Sequence, residues 1–271
     1  MKYTIRLKYY SEIYMYKNLL VTGCSSEGRG RNYAYGLNIL LRSVEKFAHN
    51  IIDRVLVCDF GLKSDDIQNI LKYKFVDFYS PPLEILNYYN DLNIDYFKYY
   101  GYRSYIMSEI APEFGLNVFW LDSGACFVND PCIIFDIIDR ENIFVVRHEN
   151  YTIKPWISNE CISVIGATEK ELMDKKIYGG INGYRTDSIY HLLFKEVYNY
   201  SRNRDCAYSD VLKGNYRQQT VLSVLCSRYN IKSQPEYKYA LMNISSEDQI
   251  VLAHRCSEYC KTLLLNGFFN I

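Results

Sequence analysis

The segment 117–124, Asn-Val-Phe-Trp-Leu-Asp-Ser-Gly, decides how this chain folds. Its apolar part is too short for a helix and is closed by a turn signal, the pattern of a strand buried on both faces. Asp122 follows without a break, in a turn made with Ser123 and Gly124. A buried strand that delivers a carboxylate to the rim of a sheet fits an open α/β architecture, in which ligands gather beyond the carboxyl ends of the strands. Taken alone, Asp122 has two readings: a ligand for a divalent cation or sugar hydroxyls, or a cap for its own turn.

Strand and helix signals alternate on both sides of this point. Upstream, 18–24 (NLLVTGC) reads as a strand, and Tyr35, Leu37, Ile39, Leu40, Val44 and Phe47 recur at helical spacing. A second strand over 54–60 (RVLVCDF) carries Asp59 near its end. A helix then starts at Ser64, read as its cap, and a strand over 75–79 stops at Pro81 and Pro82. Helical pattern covers 97–110. Downstream, helices are expected over 131–138, 188–200 and 218–229, and strands over 142–147, 177–184 and 249–253. The expectation is a single α/β domain over 1–271 with a mixed central sheet flanked by helices. Residues at strand ends become candidates for a site: Thr22, Gly23, Asp59, Asp122, Arg147, His148 and Asn182.

Composition narrows the function classes. The chain has 271 residues with 31 basic and 31 acidic side chains, so no charge excess exists to grip nucleic acid or an anionic membrane. At 49% hydrophobic residues, intrinsic disorder is excluded as the main state. No apolar stretch approaches the roughly 20 residues a membrane-spanning helix needs. The first residues carry Lys2, Arg6, Lys8 and Glu12 and show no signal-peptide pattern, so a cytoplasmic location is expected. The nine cysteines contain no CxxC pair and read as reduced thiols, and Cys256, Cys260 and His254 make a weak metal signal.

The order of several motifs resembles that of a GT-A glycosyltransferase, and is similar to a family of predicted glycosyltransferases of unknown specificity. The motifs are VLVCDFGLKSDD from Val55, YFKYYGYRSYIMSEI from Tyr96, FWLDSGACF from Phe119, GGINGYRTD from Gly179, RQQTVLSVL from Arg217, and the pair His254 and Arg255. Together they span nearly the whole chain. The resemblance implies a Rossmann-like, nucleotide-sugar-binding domain with a donor half over about 18–130 and an acceptor half over about 131–271. It places Thr22, Gly23, Asp59, Arg103, Asp122, Ser123 and Gly124 at the donor, and Gly179, Gly180 and Asn182 at the acceptor. Asp122 and His254 would hold manganese or another divalent cation. Asp122 and Gln219 would serve catalysis, with Asp187 or Asp210 as the remaining acidic candidates for a base, although residues so placed are more often helix caps or surface residues.

Two positions depart from the family pattern. Gly124 stands where the second carboxylate of a DxD turn is expected, and Gln218 replaces an acid ahead of Gln219. The first leaves open a metal-independent site in which Arg103, with Arg29 or Arg31, supplies positive charge. The second removes an obvious base and leans toward retention of configuration. Trp156 could stack on a sugar, whereas Trp120 lies inside an apolar strand and reads as core. A catalytically degenerate nucleotide-sugar or glycan-binding protein is the alternative. A dehydrogenase ranks lower because the loop CSSEGRGR lacks G-x-G-x-x-G, and a methyltransferase gives no reason for the Trp-Leu-Asp-Ser-Gly strand end.

Overall fold

A computed structural model of the chain describes residues 15–26, 33–82, 85, 101–207, 217–241 and 246–252. Its centre is a six-stranded sheet. In chain order the strands and the first helices are β1 (Tyr16–Cys24), α1 (Tyr33–Phe47), β2 (Arg54–Asp59), α2 (Ser64–Ile70), β3 (Val76–Tyr79), α3 (Gly101–Tyr105), β4 (Gly115–Leu121), β5 (Cys126–Phe127), α4 (Cys132–Glu141) and β6 (Ile143–Thr152). They are followed by α5 (Asn159–Ile165), α6 (Glu169–Leu172), β7 (Lys175–Arg185), α7 (Tyr190–Ser201), α8 (Arg204–Ala207), α9 (Arg217–Arg228), α10 (Glu236–Tyr239) and β8 (Val251–Leu252).

The sheet order is β3-β2-β1-β4-β7-β6. β3, β2, β1 and β4 run parallel, while β7 is antiparallel to both β4 and β6. The expected mixed sheet is therefore present, and β5 with β8 forms a small second sheet beside it.

Alternation along the strands explains why they read as continuous apolar runs. Leu19, Val21, Leu56, Cys58, Val118 and Trp120 face one layer, packed by α3, α7 and α9. Leu20, Val55, Val57, Phe119 and Leu121 face the other, together with Leu37, Leu40 and Val44 of α1 and Ile134 and Ile138 of α4. Both faces are buried, so period 2 places apolar side chains at every position.

Several local expectations are revised. Ser64 is the first residue of α2 and not its cap; Lys63 occupies the cap position with no side-chain bond to the helix. The helix expected over 97–110 changes geometry after Tyr105: Ile106–Ile110 is a π-helix, followed by a 3₁₀ turn at Ala111–Glu113. The strand expected to stop at Arg147 continues to Thr152, with register shifts on either side of Arg147. Every described cysteine is a free thiol.

Candidate active site

β4 carries Asp122 to the carboxyl edge of the parallel strands, where β7 crosses it in the opposite direction. The turn closes through the backbone, Ala125 N donating to Asp122 O at 2.8 Å, so the carboxylate is not spent on capping. Its Oδ1 accepts instead from Arg103 Nη2 at 2.8 Å and from Trp120 Nε1 at 2.7 Å. Arg103 comes from α3 and its side chain is 4% exposed, against 21% for Asp122. The ion pair is thus enclosed on the guanidinium side and open on the carboxylate side. Trp120 is core as expected, yet its indole N–H fixes the acid, and its ring lies under the Arg103 guanidinium at 5.2 Å. Tyr102 and Phe60 continue this aromatic wall.

Gly179 and Gly180 of β7 admit the chain's own side chains rather than a sugar. A Cβ on Gly180 would stand 2.8 Å from Asp122 Cγ and closer still to Oδ2. One on Gly179 would be 2.8 Å from both Arg103 Nη1 and Gln219 Cβ. Asp122, Arg103 and Gln219 therefore converge on a backbone stripped of side chains. Asn182 is fully buried opposite Trp120 and donates to Gly179 O at 2.7 Å, which leaves it no surface for an acceptor.

The other expected donor contacts fare unequally. Ser123 and Gly124 are wedged against α1, where a Cβ on Gly36 would meet Ser123 O at 2.8 Å. Thr22 is fully buried and cannot reach a ligand. Gly23 makes room for the Phe60 ring, not a nucleotide, since a Cβ there would lie 2.8 Å from Phe60 Cδ2 and nearer to Cε2. Asp59 caps the loop after β2, its Oδ1 accepting from the backbone N–H groups of Gly61 and Leu62 at 2.9 and 2.7 Å. Burial pushes the Cys24 thiol beside the turn up to about 12, a bond from Ser123 only partly offsetting it, which excludes a thiolate there.

Asp187 is not brought to the cluster. It follows Arg185, which pairs with Asn117 near the start of β4, so it sits at the opposite edge of the sheet. Arg185 binds it through two bonds and holds its carboxyl below the usual range. Its job is to fasten that turn. His254 and Asp210 lie outside the described residues.

Solved structures similar in fold include glycosyltransferases. The bifunctional glycosyltransferase WbbM superposes at a TM-score of 0.58 over 95% of this chain with 12% identity, and the chain spans 45% of WbbM's length. The galactosyltransferase LgtC, in complex with donor and acceptor sugar analogs, gives 0.56 over 88% of this chain and 87% of its own, with 14% identity. Mouse xyloside xylosyltransferase 1 gives 0.51 over 83% and 87% with 10% identity. The fold is that of a GT-A glycosyltransferase. No family model matches the sequence, and no curated protein matches it.

In this GT-A fold the donor set at the edge is poor for a divalent cation. Among the described residues no group of three or more His, Cys, Asp or Glu side chains could hold a metal. Among the described residues Asp122 supplies the carboxylate of the cluster; its Oδ1 is held by Arg103, and Gly124 offers no side chain. The residues described do not fit such an ion. Nor is any described helix long and apolar enough to cross a membrane.

Further polar residues stand beside the candidate site, of which the sequence had singled out His148 but not Glu236 or Lys176. His148 of β6 places Nε2 3.3 Å from Gln219 Nε2, stacks on Tyr178 at 3.6 Å, and directs Nδ1 toward Glu236 Oε1 at 3.5 Å. Glu236 is itself fixed, accepting from Tyr178 Oη at 2.8 Å and from Glu149 N at 2.7 Å. Lys176 is buried with its ammonium 3.6 Å over the Trp156 ring, and burial pulls it down to about 8. His148 stood among the strand-end residues, but Glu236 had no signal, because α10 is too short to show a period.

Proposed function

We propose that the chain is a glycosyltransferase that moves a sugar from a nucleotide-diphosphate-sugar donor to a hydroxyl of a glycan, lipid-linked saccharide or protein. The observation that carries this reading is the convergence of Asp122, Arg103 and Gln219 on the glycines of β7 at the carboxyl edge of a GT-A sheet. Asp122, oriented by Arg103 and Trp120, accepts sugar hydroxyls on its open side. Arg103 keeps positive charge at the edge where a diphosphate gathers negative charge as it leaves. Gln219 presents an amide to the reacting carbon. The donor occupies the half built from β1–β4 and the acceptor approaches from the β6–β7 side.

Retention of configuration suits this set better than inversion. An inverting transfer needs a base at the acceptor hydroxyl. Asp122 is committed to Arg103, and Glu236 is held behind His148 by Tyr178 and the Glu149 amide.

The alternative, a nucleotide-sugar or glycan-binding protein without turnover, is favoured by two features. Gly124 stands where the second carboxylate of the turn is expected and Gln218 where an acid is expected, so two groups that turnover would use are replaced. A panel of nucleotide sugars separates the two readings, scored for thermal stabilisation and for release of nucleoside diphosphate. The same panel with and without manganese tests Asp122 and His254 as its ligands. Turnover by the native chain that falls at least about 100-fold in a folded Asp122→Asn variant supports the enzyme. Stabilisation by a donor with no release supports the binding protein.

A further inference from the structure

Glu236, His148 and Gln219 stand in a row, a carboxylate facing one ring nitrogen and an amide facing the other. Glu236 has both carboxylate oxygens engaged, Oε1 by Tyr178 Oη and Oε2 by the backbone N–H of Glu149. A backbone N–H cannot turn away, so the carboxylate is anchored in place. Its Oε1 lies 3.5 Å from His148 Nδ1, beyond hydrogen-bond reach, and the negative charge of the carboxylate at that distance draws the ring proton to the facing nitrogen. Nε2 is then a lone pair. It faces the Gln219 side chain at 3.3 Å and must receive an N–H. The amide nitrogen is thereby turned toward His148 and the carbonyl oxygen away from it, while the Cβ and Cγ of the same side chain lie over Gly179.

We propose that Glu236 and His148 are positioning residues that orient the Gln219 amide so that its carbonyl oxygen faces the reacting sugar. The proposal rests on the glycosyltransferase reading for what that oxygen does: a carbonyl dipole stabilises positive charge developing at the transferred carbon, whereas an NH₂ group opposes it. The orientation itself rests on the geometry alone. The device is also sensitive to pH. When the imidazole takes a second proton, Nε2 becomes a donor and the Gln219 amide must reverse. Among the described residues, the groups against His148 include Glu236, the Tyr178 ring and the Tyr151 ring edge-on at 5.3 Å, and Lys176 stands two residues before Tyr178 on β7.

Glu236→Gln is an informative variant because the Glu149 N–H demands the one acceptor oxygen of the new amide. The new NH₂ group then faces His148 Nδ1 and forces the proton to Nε2.

The test is nitrogen-15 NMR of the full chain, whose four histidines can be assigned by single replacement, beside kcat and KM across pH for whichever donor the panel identifies. The expected result is the Nδ1–H tautomer of His148 in the native chain and the Nε2–H tautomer in Glu236→Gln. The variant's kcat falls about tenfold or more with the donor KM unchanged, as expected for a misplaced group that acts in the transition state. In the native chain kcat falls toward acid with the midpoint at which His148 titrates. An Nε2–H tautomer in the native chain overturns the proposal, as does a variant with native kcat and pH profile. If the native chain turns over no donor, the glycosyltransferase reading fails separately, and the Gln219 side-chain amide signals decide. Movement with the His148 titration upholds the orienting role, and indifference to it overturns that role.

Discussion

Gly180 is conspicuous for what its neighbour does with the space. Asp122 occupies the volume a side chain would need, with its carboxylate inside contact distance of any Cβ built there. Gly180→Ala should therefore push the carboxylate off Arg103 and Trp120 and lower stability by about 1–3 kcal/mol, the usual cost of overpacking a tight site. The stability change is read by urea unfolding, and native stability in the variant would show that the strand or the acid shifts freely. Turnover should fall with it, because the bonded oxygen of Asp122 is what sets the direction of its open one.

At the scale of elements, Glu171 joins three helices. Its carboxylate completes the capping box at Thr168 that starts α6, and it also binds Arg228 at the end of α9, Nε donating at 2.8 Å. Arg228 reaches on to the carbonyl oxygen of Ile165 at the end of α5. The Arg228 bond holds the Glu171 carboxyl below its ordinary 4.5, with burial opposing. A depressed carboxyl stabilises the fold above its unfolded value, and that contribution is lost as pH falls through the folded one. Glu171→Gln should lose about 1–2 kcal/mol at pH 7, and the difference from the native chain should vanish in acid. Urea unfolding at both pH values checks this; a difference that persists in acid would point to packing instead.

How legible such elements were depends on their length. β1, β2 and β4 announced themselves because both faces are buried, and the Asp-Ser-Gly turn placed the acid correctly. α6 and α10 have four residues each and show no period. The outer part of β6, His-Glu-Asn-Tyr-Thr, is polar and mostly exposed, so it did not read as strand. The misplaced candidates share another cause. Thr22, Gly23 and Asn182 stand at strand ends in the sequence, but which of them faces open space depends on Phe60 and Gly179, partners that only the folded chain brings near.

At the scale of the whole molecule, the two halves of the chain, 18–130 and 131–271, share one sheet and meet along the β4–β7 border. Removing the second half bares one side of β4, and removing the first bares one side of β7. α4, from the second half of the chain, packs on β4, and β5 of the first half pairs with β8 of the second. The halves cannot melt separately. Heating should give one calorimetric transition, sharpened and moved upward by a bound donor. Two resolved transitions, with the donor raising only the first, would show that each half folds alone.

The π-helix at Ile106–Ile110 carries a consequence for reading related genes. A π-turn is a helix that has taken in one extra residue and spread it over a wider turn, so the segments on either side keep nearly the phase of a regular helix one residue shorter. Loss of a single codon between 106 and 110 would leave the helix regular, Asp122 in place and Arg103 still turned toward it. A homologous sequence aligned with a one-residue gap there should therefore still carry its cation at the position of Arg103.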